Sequence, residues 1–280
     1  MKLVCRSTVL DLAQPVVMGV LNVTPDSFSD GGCYASFDAA VARARRMAKE
    51  GAGIIDVGGE STRPGAPPVP VREEIERVVP VVERLARELS VPISVDTSKP
   101  EVMRAAVAAG AQMINDVRAL TLPGALEAAA DSGAAVCVMH MQGEPGSMQE
   151  NPTYGDVVSE VRRFLDARVA ACVAAGIARE HVCVDPGIGF GKTKDHNLAL
   201  LARLDELADA AMPVLIGVSR KSLIGMITGR PPAERVAGSV ALAALSVMRG
   251  AVIVRAHDVA ETLDAVKVAC AFRRASMGGR

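Results

Sequence analysis

The sequence predicts an α/β fold, a (β/α)8 TIM barrel, and three observations carry that prediction. Short apolar runs rich in β-branched residues recur eight times along 280 residues. Each is followed by Gly, Pro or polar residues and then by an Ala-rich amphipathic stretch. The first run ends in N-V-T-P-D-S, with no G-x-G-x-x-G, so the phosphate turn of a doubly wound open sheet is missing where that rival fold would place it. Continuous apolar runs of this length read as strands of a parallel sheet buried on both faces, and eight β/α units close most naturally into a barrel.

In chain order, residues 3–12 (LVCRSTVLDL) read as a short hairpin ahead of the first unit. The eight runs are VVMGVLNV (16–23), GIIDVG (53–58), PISVDT (92–97), QMINDV (112–117), AVCVMH (135–140), VCVDPG (182–187), PVLIGVS (213–219) and AVIVRAH (251–257). Between the first two, Ser36 can cap a helix that puts Phe37, Val41, Ala44, Met47 and Ala48 on one face and stops at Gly51. Ile75, Val78, Val79, Val82, Leu85 and Leu89 share a second helical face, which Pro80 should kink or restart. Ser98, Pro100 and Glu101 open a third helix; Val158, Val161, Leu165, Val169 and Cys172 mark a later one. No linker or shift in composition divides the chain. The expectation is one domain over 1–280, with the hairpin in 1–14, the barrel in 15–270 and a tail in 271–280.

Composition excludes several classes. Half the residues are hydrophobic and the net charge is −1, which is incompatible with bulk disorder. With 31 Lys and Arg against 32 Asp and Glu, two Tyr and no Trp, neither a basic nucleic-acid surface nor an aromatic stacking platform is expected. No apolar run is long enough to span a bilayer, and MKLVCRSTVLDL contains no signal-peptide core, so no membrane partner is expected. The cysteines at 5, 33, 137, 172, 183 and 270 form no C-x-x-C pair, which fits reduced thiols in the cytoplasm. His140, His181, His196 and His257 make no zinc motif. DPGIGFGKT (185–193) imitates a P-loop, but the spacing rule requires Gly at 186, where Pro186 stands.

In a barrel, the site is built from the C-terminal ends of the strands. Here those ends carry Asn22, Asp56, Asp96, Asn115 with Asp116, His140, Asp185, Ser219 to Lys221, and Arg255 with His257, with Glu60 and Thr62 just beyond the second strand. Asp96, Asn115 and Asp185 are short acceptors and amides suited to a flat, donor-rich heterocycle, whose buried N–H groups must be paired. Asn22, Arg63, Lys221, Arg255 and His257 suit an anion such as phosphate. Both halves in one mouth point to a heteroaromatic substrate bearing phosphate. The long Gly/Pro/Ser segments 24–36 and 58–70 read as loops able to close over it.

These residues stand in motifs with a family resemblance. M-G-V-L-N-V-T-P-D-S-F-S-D-G-G (18–32) and D-V-G-G-E-S-T-R-P-G (56–65) resemble the two signature segments of the bacterial dihydropteroate synthase family. The likeness continues through S-V-D-T-S-K-P (94–100), I-N-D-V (114–117), D-P-G-I-G-F-G-K (185–192), G-V-S-R-K-S (217–222) and R-A-H-D (255–258), where Ala256 replaces an expected larger β-branched residue. The resemblance implies a Mg²⁺-assisted transferase of folate synthesis. It would condense 6-hydroxymethyl-7,8-dihydropterin pyrophosphate with 4-aminobenzoate, releasing 7,8-dihydropteroate and pyrophosphate. It further implies pterin contacts from Asp96, Asn115, Asp185 and Lys221, and pyrophosphate contacts from Thr62, Arg63, Arg255 and His257. Phe28, Thr62, Pro64, Phe190 and Ser222 would shape the aminobenzoate pocket, and Asn22 would ligate or orient Mg²⁺. Lys221, Arg255, His257, Asp96 and Asp185 would carry catalysis. Members are typically homodimers and sulfonamide targets.

An aryl amine is a weak nucleophile, so departure of pyrophosphate should run ahead of amine attack, with cations absorbing its charge. Cys33 has no assigned role in that scheme. The alternatives are a pterin-dependent methyltransferase domain, which needs no pyrophosphate site, and a pterin-binding regulatory module that has lost its loops.

Overall fold

The computed structural model describes residues 1–23, 32–61, 67–144, 146–208 and 212–278. β1 (Lys2–Cys5) and β2 (Thr8–Asp11) form the expected antiparallel hairpin. Eight parallel strands follow: β3 (Val16–Asn22), β4 (Ile54–Gly58), β5 (Ile93–Asp96), β6 (Met113–Asp116), β7 (Ala135–Met139), β8 (Val182–Asp185), β9 (Leu215–Gly217) and β10 (Ile253–Ala256). Their order is β8-β7-β6-β5-β4-β3-β10-β9. A parallel bridge between Val184 and Val214, with Val184 N donating to Pro213 O at 3.0 Å, brings β9 back to β8 and closes the ring.

Seven of the eight runs contribute to two cores because side chains alternate across a strand; β5 turns Ile93 and Val95 outward and Ser94 and Asp96 inward. Outward residues such as Val17, Ile55, Val95, Ile114, Val136, Val184, Ile216 and Val254 pack under the helices. Inward residues Met18, Ile54, Met113, Ala135, Cys137, Cys183, Leu215 and Ile253 fill the lower barrel, and Leu3, Cys5 and Leu12 of the hairpin segment plug it. One step further along the strands the inward positions become Asp56, Asp96, Asn115, Asp185 and Arg255, so the apolar floor gives way to a polar mouth. Ala256 faces outward into the helix-packed core.

The surrounding helices differ from expectation at three points. α1 (Gly32–Glu50) begins four residues before Ser36, because Ser within a helix costs only a few tenths of a kcal/mol and nothing in 32–35 breaks one; it ends at Gly51 in the left-handed region, φ +100°. α2 (Val71–Glu88) is not restarted at Pro80 but continues through it as one helix, the exposed position leaving the freed carbonyl a turn earlier open to water. α3 (Pro100–Ala108) starts with Pro100 in its first turn, and α5 (Val157–Ala174) is capped by Asp156, whose side chain accepts from Val158 N and Ser159 N. α4 (Ala125–Ser132), α6 (Lys194–Ala202), α7 (Asp205–Ala208), α8 (Ser222–Thr228) and α9 (Val236–Met248) fill the remaining connections; α10 (Val259–Gly278) extends through the segment expected as a tail.

Candidate active site

The mouth is organised around Arg255, near the end of β10. Its Nε donates to Asp56 Oδ2 at 2.7 Å and its Nη2 to Asp96 Oδ2 at 2.7 Å; Asn115 Nδ2 donates to the same Asp56 oxygen at 3.0 Å. Register explains the cluster: Gly58 pairs with Asp96 and Asp96 with Asn115 across β4, β5 and β6. Asp56 is fully buried, and its second oxygen has no hydrogen-bond partner among the described residues. Burial pushes the Asp96 carboxyl up to about 7 even with Arg255 beside it, the nearby charges of Asp56, Asp116 and Glu74 adding to the rise.

Asp185 closes the other side. Its Oδ1 accepts from Gly187 N at 2.7 Å, which starts the turn leaving β8. Burial raises its carboxyl, while Lys221, Lys192 and Arg255 oppose the rise. Lys221 donates to Ile188 O and lies over the Phe190 ring, 4.7 Å from its centre. Burial lowers the Lys221 ammonium to about 8. Lys221 is aimed by Arg220, a non-Gly residue at φ +57°, a strained backbone held from three sides. Arg220 N donates to Ser239 Oγ at 2.9 Å, the Arg220 guanidinium grips Asp258, and Arg235 Nη1 donates to the carbonyls of Arg220 and Lys221 at 3.2 and 3.3 Å. Ser222 is exposed at the start of α8.

His257 follows β10, its Nδ1 3.1 Å from Ser219 Oγ. Arg43 Nη2 on α1 donates to the His257 carbonyl at 2.7 Å. Asn22 ends β3 beside Gly58. A Cβ at Gly58 would stand 3.8 Å from Asn22 Oδ1 and 3.7 Å from Asp96 Oδ2, so the missing side chain leaves a gap lined by an amide and a carboxylate oxygen. Phe28, Thr62, Arg63 and Pro64 lie outside the described residues, as does most of segment 24–36.

Asp96, Asn115 and Arg255 therefore meet in one cluster, with Asp185, Lys221 and Phe190 linked along its flank. Sequence reading gave Asp56 no role, although it joins Asn115 to Arg255. The available signal was a carboxylate standing inside G-I-I-D-V-G. The sequence likewise assigns no role to Lys192 and His140.

The fold and this mouth define a barrel enzyme for a heterocycle carrying an anionic group. Comparison with known proteins gives the class: the pterin binding enzyme family model matches residues 18–257, and the chain belongs to that family. Dihydropteroate synthase of Escherichia coli K12 is 56% identical over 268 residues, 96% of this chain and 95% of that protein. The Yersinia pestis dihydropteroate synthase solved with a sulfonamide drug superposes with a TM-score of 0.93 at 53% identity, covering 98% of this chain and 100% of that one. The Xanthomonas albilineans enzyme in complex with 7,8-dihydropteroate gives 0.89 at 52% identity, covering 98% and 99%. Within the family, the chain belongs with the bacterial dihydropteroate synthases, transferases of folate synthesis.

Proposed function

We propose that this mouth condenses 6-hydroxymethyl-7,8-dihydropterin pyrophosphate with 4-aminobenzoate, with the following division of labour. The carrying observation is the bridge from Asp96 through Arg255 to Asp56, because it puts hydrogen-bond acceptors for a flat ring and a fixed cation within a single side chain's reach. Asp96 and Asp185 accept from the pterin N–H groups, Asn115 offers its amide, and Lys221 donates to the ring. Arg255 and His257, with Thr62 and Arg63, hold the pyrophosphate. Phe190 and Ser222, with Phe28, Thr62 and Pro64, bound the aminobenzoate.

The methylene C–O bond breaks ahead of attack, and pyrophosphate leaves with the bonding pair into the Arg255 side of the site. Positive charge on the methylene spreads into the pterin, where Asp96 and Asp185 stabilise it. The amine nitrogen then forms the C–N bond and loses a proton to water. No residue forms a covalent intermediate.

Mg²⁺ is the cofactor proposed. It keeps several waters and substrate phosphates as ligands and needs few protein oxygens. Asn22 Oδ1, at the Gly58 gap, is a hard neutral oxygen of that kind, and no group of three or more His, Cys, Asp or Glu placed to hold a metal occurs among the described residues. When bound, the ion would stabilise charge on the departing pyrophosphate.

A homodimer in the cytoplasm completes the proposal. α9 and α10 pack against each other and leave Leu245, Val268 and Phe272 at least 62% exposed, an apolar surface suited to a second copy. No helix among the described residues is long and apolar enough to cross a membrane. The test is pyrophosphate release from the pterin substrate with and without 4-aminobenzoate. Release that requires the amine supports the reaction; methyl transfer to a corrinoid, or binding without turnover, overturns it.

A further inference from the structure

The lysine of the false P-loop lies in an unusual setting. Lys192 is 3% exposed, and no carboxylate among the described residues bonds to it. Its Nζ donates to His140 Nδ1 at 2.9 Å and lies 2.9, 3.0 and 3.3 Å from the carbonyls of Gly187, Phe190 and His140. While Lys192 is an ammonium it can only donate, so His140 Nδ1 accepts and the ring is a neutral imidazole with its proton on Nε2. That ring is itself buried, edge-on to Phe164 with centroids 5.0 Å apart. The ammonium thus joins the end of β7 to both ends of the 187–190 turn.

That turn is the wall of the pterin site. Gly187 N holds Asp185, Ile188 O receives Lys221, and the Phe190 ring lies under Lys221. The turn can reach its tie only because it is glycine-rich. A Cβ on Gly187, at φ +68°, would stand 1.9 Å from His140 O, and one on Gly191, at φ +60°, 2.2 Å from Gln142 O. Burial lowers the Lys192 ammonium to about 7, so the tie is fullest below that pH, where two carbonyls and an imidazole drawn onto one cation fix a turn more firmly than neutral contacts would, because charge-assisted bonds are about twice as strong.

We infer that Lys192 is a positioning residue for pterin recognition: through His140 and the carbonyls of Gly187 and Phe190 it holds the turn that sets Asp185 and Lys221 toward the ring. This rests on the reading that Asp185 binds the pterin. Lys192 touches no substrate in this scheme.

The test is a double-mutant cycle on the full-length protein, with binding of 6-hydroxymethyl-7,8-dihydropterin pyrophosphate measured calorimetrically for wild type, Lys192→Met, Asp185→Asn and the double variant. Lys192→Met is expected to bind about tenfold more weakly, the scale of one lost buried partner. In the Asp185→Asn background the same change should cost less than about threefold, because positioned groups couple where independent ones add. Wild-type affinity in Lys192→Met, or losses that simply multiply, overturns the role; a purely structural lysine would give the latter. If Asp185→Asn itself binds normally, the pterin reading fails instead. Should Lys192→Met not fold, Lys192→Gln, whose uncharged amide still donates to carbonyls, replaces it; a smaller loss that again shrinks in the Asp185→Asn background supports the role, and no loss or simple multiplication overturns it.

Discussion

Replacing Arg255 by Met removes the only guanidinium bonded to Asp56 and Asp96 among the described residues, and leaves two buried carboxylates without a cation. Breaking a buried pair by deleting one partner costs about 3–5 kcal/mol, and Arg255 is 22% exposed at the side chain, so screening is limited. Unfolding entropy near 2.1 cal/mol/K per residue gives about 0.6 kcal/mol/K for this chain, so Tm should fall by roughly 5–8 °C at pH 8. The loss should shrink in acid. The Asp96 carboxyl sits at about 7 in the fold, against about 4 in an unfolded chain, so the native state binds the proton more tightly. Stability from this group is full below about pH 4 and declines as pH rises toward 7. Removing Arg255 takes away the attraction that holds this value down, so the variant keeps losing stability above pH 7, and near pH 5.5 Asp96 is neutral in both proteins. Calorimetric melting of both at pH 5.5 and pH 8 measures this. A Tm loss under about 2 °C at pH 8, or one identical at the two pH values, would refute the reasoning.

Other outcomes follow from the same geometry. Asp185→Asn should weaken pterin binding by about 1–3 kcal/mol, one impaired buried partner, read by calorimetry; unchanged affinity removes Asp185 from the site. Because burial lowers Lys221 to about 8, kcat/KM for the pterin substrate should fall as pH rises past 8 and the ammonium is lost; a profile flat to pH 9.5 contradicts its role. Gly187→Ala should cost well over 1 kcal/mol in urea unfolding, since its Cβ would meet His140 O at 1.9 Å on a left-handed backbone. Cys33→Ala should leave turnover intact in steady-state assays, and its abolition in a folded protein would demand a nucleophile.

Much of the fold was legible because a parallel barrel needs apolar runs, and all eight strands fall within the predicted ones. Helix starts were less legible: Ser36 has the chemistry of a cap, yet cooperative propagation carried the helix back to Gly32. Pro80 marked a break in sequence but lies on a solvent face that tolerates it. At the site, individual acceptors and cations could be found as polar residues ending apolar runs. Their mutual bonding could not be read from sequence, because Asp56 and Arg255 are 199 residues apart and meet only through strand register. The sequence places Arg255 with the anion-binding half; the structure also ties it to Asp56 and Asp96, the carboxylates on the heterocycle side. In the sequence Lys192 belongs only to a failed nucleotide motif, and its tie to His140 depends on the close approach that Gly187 and Gly191 allow.

The central claim is that one barrel mouth seats a flat bicyclic ring beside the berth for its diphosphate. A crystal soaked with 6-hydroxymethyl-7,8-dihydropterin pyrophosphate tests it directly. The ring should appear edge-on to Asp96, Asn115 and Asp185, with its phosphates toward Arg255 and His257. Density at the hairpin-plugged end, or a ring bound with its phosphates directed away from Arg255, would contradict it.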